Sequence, residues 1–149
     1  MSSDAVLTAL HAVLTGLAAA EADVPEIARN ENLDDAFAAL DGGAQAYGNM
    51  VDGDLERISE ALGVTGGQYE IRQFALLELI VKAPSDAERR AAFEAILFKV
   101  HAALEAATGG VANWEITGIE RLNQATDGDP EAAGRTVEIT CEFVSDVPY

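Results

Sequence analysis

From Arg135 the chain alternates, with Val137, Ile139, Cys141 and Phe143 on one face and Glu138, Thr140 and Glu142 on the other. That period of two predicts a half-buried strand. Its place near the end of the sequence suggests a sheet edge that a neighbouring molecule can reach. "YEIRQFALLELIVKA" predicts a second strand. Ala75, Leu77, Leu79 and Val81 share one face, and Phe74, Leu76, Glu78 and Ile80 the other. Both faces are mostly apolar, as in a strand running through the middle of a sheet or into an interface. Pro84 ends it. "NWEITGIERLNQA" alternates through Trp114 and Ile116, and Gly118 moves the apolar register to Ile119, which predicts a bulge. "TDGDPEAAG" is a turn joining this strand to the last one as a hairpin.

Spacings of three and four mark two helices. Ser3 or Asp4 caps the first, whose stripe is Val6, Leu10, Val13, Leu14 and Leu17, with Gly16 weakening its end. "SDAERRAAFEAILFKVHAALEAATGG" is the second. Ser85 and Glu88 make its capping box, Phe93, Ile96, Leu97, Val100 and Leu104 its buried stripe, and Gly109 and Gly110 its stop. His11 and His101 read as packed helix residues. After the break at Pro25 the pattern is weaker. It gives a short strand over Glu26–Arg29, a polar turn at "NENLDD", and a strand over Ala36–Leu40. That last stretch is alanine-rich, which leaves a helical turn open. Residues 41–68 read as a protruding flap, since long loops in compact domains are usually functional or mobile. Inside it "DGDLERISEALGV" predicts a short helix capped by Asp54 and stopped by Gly63, with Leu55, Ile58 and Leu62 as its face. The fold expected for 1–149 is one α+β domain. A mostly antiparallel sheet of four to five strands carries two main helices on one face, with a short extra helix in a long loop.

Charge narrows the function. The 149 residues carry 26 acids against 9 bases, a formal net charge of −17. Such a surface repels phosphates, so DNA and RNA are not expected to bind. Besides solubility, it suits a protein that must not stick to nucleic acid or that docks a basic partner. No Lys or Arg precedes the first apolar stretch and Asp4 lies at its start, which argues against a secretory signal. The apolar runs fall short of the about 20 residues a span requires, so no membrane is expected. The single cysteine, Cys141, points inward beside Ile139 and Phe143 and reads as an inert buried thiol in a cytoplasmic protein.

No catalytic constellation emerges. No nucleophile elbow, P-loop or dinucleotide fingerprint occurs, and the two histidines sit on helical stripes. Zinc clusters need Cys and His that the chain lacks. "NENLDD" places Asn30, Asn32 and Asp34 at positions one, three and five of a calcium loop. Position six is Asp35 instead of glycine, and position twelve is Asp41 instead of glutamate. Turn chemistry accounts for these residues. The expectation is no enzyme, no cofactor and no metal.

Four stretches carry a family resemblance: "SDAVLTALHAVLTGL" leading into "PEIARN"; "FAALDGG"; "FALLELIVKAPSDAERRAAFEAILFKVHAALEA"; and "NWEITGIERLNQATDGDPEAAGRTVEITCEFVSDVPY". In the order of its elements the chain resembles the small tail terminator proteins of long-tailed phages and of phage-derived gene transfer agents. Gln45–Gly67 lies outside the resemblance. The resemblance implies an architectural function. A homo-oligomeric ring, usually a hexamer, caps the tail tube, ends its polymerisation and offers a surface to head-completion or neck proteins. DNA passes through an acidic lumen without being bound. It implies a place in a virion or phage-like particle, at the head-proximal end of the tail, assembled in the bacterial cytoplasm. The candidate contacts are Met50, Val51, Leu55 and Ile58 on the flap, facing the tube or a neighbour, and Glu138, Thr140 and Glu142 on the terminal strand. The rivals are a head-closure or neck connector ring and a small cytoplasmic module with a ligand cleft between sheet and helices.

Overall fold

Eight elements order the chain: α1 (Ser3–Ala20), β1 (Ile27–Arg29), α2 (Leu33–Asp41), β2 (Ala46–Gly63), β3 (Gly66–Lys82), α3 (Asp86–Ala107), β4 (Asn113–Leu122) and β5 (Ala132–Ser145). The computed structural model describes residues 2–63, 66–108, 112–122 and 131–149. The glycine stop expected at 109–110 and most of the acidic turn before β5 lie outside the described residues. The fold is α+β. Five strands form one sheet in the order β1-β2-β3-β5-β4, antiparallel except for the β1–β2 pair.

α1 and α3 cover one face. Leu7, Leu10 and Leu14 of α1 and Phe93, Ile96, Val100 and Leu104 of α3 close on Met50, Ala75, Leu77, Leu79, Val81, Val137 and Ile139. Ser85 and Glu88 form the expected capping box of α3. The cap of α1 is Ser2, one residue before the expected Ser3 or Asp4: its side chain accepts from the Ala5 N–H, while the Ser3 hydroxyl is turned to Gln73. By length and composition α1 is apolar enough to cross a bilayer, contrary to the count of apolar runs. Its Val6, Leu7, Leu10 and Leu14 are buried against the sheet and α3. α2 covers one end of the opposite face, where Ala36 and Leu40 meet Ile80 and Ala132.

Three larger sequence expectations are also corrected. Residues 41–68 are not a flap with a helix but most of β2 and the start of β3, a long hairpin. β2 has register shifts between Asp52 and Leu55 and between Arg57 and Ser59. Each bulge adds one residue to a period of two, so Leu55 and Ile58 fall at a spacing of three that imitates a helix face. The short helix lies earlier. Ala36–Leu40 belongs to α2, started by a capping box between Asn32 and Asp35 and favoured by Ala36, Ala38 and Ala39. Lastly, β5 is no edge strand: it pairs with β3 on one side and β4 on the other.

The first β2 bulge has a built support. Asp52 faces Ala75 and Leu55 faces Gln73, so Gly53 and Asp54 share the place opposite Phe74. The buried Gln73 amide Nε2 donates to the carbonyls of Gly53 (2.7 Å), Asp54 (3.0 Å) and Phe74 (2.8 Å), and the Ser3 hydroxyl donates to its Oε1. A Cβ on residue 53 would come within 2.7 Å of the Phe74 carbonyl oxygen. Gly53→Ala is therefore expected to cost about 1–3 kcal/mol, seen as a lower urea midpoint. Gly16, on the exposed side of α1, has nothing within 4 Å of its would-be Cβ. There the same substitution should stabilise by about 0.5–1 kcal/mol.

Candidate functional site

Among the described residues the sheet offers two surfaces that its helices leave open: the face opposite α1 and α3 apart from the end under α2, and the outer edges of β2 and β4. On that face Val51, Phe74 and Leu76 are half-buried, and charged groups surround them. Arg72 spans three strands there. Its Nε (3.0 Å) and Nη2 (2.6 Å) donate to Glu142 on β5, and Nη1 lies 3.5 Å from Glu56 on β2. Thr117 of β4 donates to Glu138 at 2.7 Å. That uses its only proton, so the 2.7 Å contact with Thr140 has Thr140 as donor. These bonds bind β2, β3, β5 and β4 into one face.

The residues marked from sequence separate. Met50 is 0% exposed, sealed under the helices, and leaves the set of contacts. Val51 lies half-buried opposite Leu76. Leu55 and Ile58 are exposed, at 40% and 41%, on the outer strand β2 instead of on a helix. Glu138, Thr140 and Glu142 share the open face of an internal strand, with Thr140 buried among them and Glu142 engaged by Arg72. They reach a partner only from above the sheet. Sequence reasoning missed Ile119 on β4, 48% exposed, and Phe98 on α3, 74% exposed. For Phe98 the signal was present: an aromatic one residue off the buried stripe.

Where β1 ends, an ion pair ties three elements together. Arg29 Nε and Nη2 grip both oxygens of Asp52 at 3.0 and 2.9 Å, and its Nη1 reaches the Thr8 hydroxyl. The Asn30 side chain donates to Asp52 Oδ2 and accepts from the Asp52 N–H at 2.9 Å, with Asn30 itself at a φ of 55°. Burial pushes the Asp52 carboxyl upward, but Arg29 and Asn30 outweigh it and hold the carboxyl below its usual range. Its contribution is thus present above about pH 3.9, the unfolded value, and fades as pH falls through the lower folded value. Asp52→Asn should cost roughly 1 kcal/mol at pH 7, and the gap to the wild type should shrink at pH 2–3. Urea unfolding of both proteins at the two pH values measures this.

Positive charge gathers at one end of the sheet. Arg121 of β4 stands directly opposite Arg135 of β5, whose guanidinium lies 4.6 Å from the Phe93 ring centroid. Burial, then Arg121 and Arg90, push the Arg135 pKa down, with Asp86 opposing. Like charges facing across a ladder are unfavourable.

A cleft of about 670 Å³ reaches from Arg72 and Phe74 round the start of β4 to His101 and Trp114. A second cleft of about 400 Å³ opens at one end between β2–β3 and α3, beside Ala46, Val81, Ala92 and Ile96; the core fills the centre of the space between sheet and helices. His11 is occupied structurally: its Nε2 donates to the Ile27 carbonyl at 2.8 Å. Burial pushes the Cys141 thiol up to about 12. Among the described residues no group of three His, Cys, Asp or Glu is placed to hold a metal ion. Asn32, marked for calcium, is the N-cap of α2.

No protein-family model matches the chain, and no curated protein does. A solved structure is similar over 100% of this chain and 99% of its own, at 20% identity and a TM-score of 0.51. Its name states no activity, and the likeness is one of fold.

Proposed function

We propose that this chain is a structural subunit of a phage-like particle. Copies of it form a homo-oligomeric ring, of hexameric type, that caps the tail tube, ends its polymerisation and presents a surface to head-completion proteins. The observation that carries the reading is a sheet with two unlike open edges on opposite sides, β4 on one and the far half of β2 on the other. A subunit with two different lateral surfaces is what head-to-tail closure into a ring requires. The sequence resemblance to tail terminators supports it, as does the net charge of −17. An acidic lumen gives passing DNA no Lys or Arg with which to replace its counterions.

Light scattering after size exclusion, on the protein alone and mixed with tail-tube protein, tests the reading. A closed ring in either sample is the expected result; a monomer that also ignores the tube protein refutes it. Because subunits of this charge repel one another, raising the salt concentration should strengthen assembly. The assembled protein should not retain duplex DNA at moderate salt in a mobility-shift assay. Tight retention would overturn the acidic-lumen role.

A further inference from the structure

We propose that neighbouring copies join edge to edge, the outer edge of β4 in one copy hydrogen-bonding along the far half of β2 in the next. The inference rests on the ring reading and names its contact.

β1 covers β2 only at Gly48, Asn49 and Met50. Beyond the Arg29–Asp52 lock, the outer side of β2 has no strand partner among the described residues through Gly63. On the other side of the sheet β4 has no outer neighbour among the described residues along its 10 residues. Three antiparallel steps separate the two strands, so β4 runs opposite to β2. Continuing the sheet into a second copy therefore gives an ordinary antiparallel ladder.

The exposed apolar side chains on these edges fit an interface. Natural edges are blunted by charge, proline, bulges or short length. Both edges here carry bulges and charges, but they also expose large apolar side chains that such guarding does not call for. Here Leu55 and Ile58 on β2 and Ile119 on β4 make three of the six large apolar residues exposed among those described. Leu55 stands beside buried Gln73 and Ile119 beside buried Val137, so both belong to the helix-bearing side. Ladder pairing between copies sets them against each other. With Ile119 near Leu55, Arg121 of one copy reaches the acidic bulge at Asp52–Asp54 of the next, which relieves its opposition to Arg135.

The arrangement also selects itself against the symmetric ones. A β4–β4 dimer leaves Leu55 and Ile58 uncovered. A β2–β2 dimer sets Asp54, Glu56 and Glu60 against their own copies in a chain already strongly negative. Pairing unlike edges covers both and leaves each copy one edge of each kind, so the assembly ends only by closing. It also fixes a stagger. Within one copy Ile119 is level with Met50, through Val137 and Leu77. Meeting Leu55 or Ile58 requires a slide of about 5–8 residues, roughly 17–27 Å. The end of β1 prevents pairing without that slide. Such a shear tilts the strands against the ring axis, as in closed barrels.

The test is intermolecular trapping with Leu55→Cys and Ile119→Cys. Both positions are exposed, so both variants should fold, which circular dichroism melts will verify; native Cys141 is buried and unreactive. A short bis-maleimide tolerates a small error of register. Mixing the two single variants should give covalent dimers in about tenfold excess over either variant alone, equivalent to ~1.4 kcal/mol. A chain carrying both substitutions should give a ladder of oligomers that stops at the ring. If rings form and unlike dimers show no excess, the edge contact is wrong and the ring reading stands. If neither rings nor unlike dimers form, even with tube protein present, both fall.

Discussion

Leu77→Ala is expected to lower the unfolding free energy by about 3–4 kcal/mol, a large share of the roughly 5–15 kcal/mol a domain possesses. Leu77 is fully buried in the third of five strands, in the cluster where α1 and α3 meet the sheet. Its ladder partners are Met50 on β2 and Val137 on β5, both 0% exposed. A void at that point is enclosed by strands on two sides and helices above, so little can collapse into it. Urea unfolding measures the cost, with the slope unchanged if the denatured state is unaffected. Leu77→Met, which keeps the volume, should cost less than about 1.5 kcal/mol. An alanine effect below about 1 kcal/mol would mean that the helical layer settles into the gap.

Gln73→Leu should cost about 2–4 kcal/mol, because it removes the bonds of a buried amide to partly buried carbonyls, at about 1–3 kcal/mol for each left unsatisfied. The bulge takes the Gly53 and Asp54 carbonyls out of the regular ladder, and the Gln73 amide is what bonds them. The effect should also be local. Amide exchange of residues 52–63 should speed up more than that of β5, since the β2 arm loses its anchor while β3–β5 pairing persists. Gln73→Glu separates bonding from shape. An ionised carboxylate cannot donate, so this variant should be worse than leucine at pH 7 and partly recover in acid, where a protonated carboxyl donates to one carbonyl. Equal losses at both pH values would sink the donor argument.

Legibility in the sequence followed the strength of local signals. α3 announces itself through Ser85, Glu88 and an unbroken stripe, and β3 and β5 through clean alternation. The bulge at Gly118 is where the register moves, between Ile116 and Gly118. β2 was hidden because its two bulges broke the alternation, and because its partner lies in the following strand instead of in its own composition. α2 was misread because nine residues provide little periodicity, although its N-cap pair was in plain view at Asn32 and Asp35. The edge could not be read at all. An alternating strand with a polar outer face is equally at home inside a sheet that leaves one face open, and only long-range pairing decides between the two. Of the candidate contacts, Leu55 and Ile58 do lie at the surface, but as strand residues. Met50 went inside because its ladder position opposite Leu77 points under the helices.

The strand order also bears on how the chain is made. β3 waits for β5: Leu77 pairs with Val137, and α3 and β4 are synthesised between them. A ribosome that has reached β4 has delivered all three helices, β1 and the β2–β3 hairpin, yet the side of β3 that β5 will occupy is still bare. Nascent β4 has no strand to lie against until β5 emerges and is inserted between the two. Sheet closure is thus a late, non-local event that favours slow folding. During that interval the excess negative charge keeps unfinished chains apart.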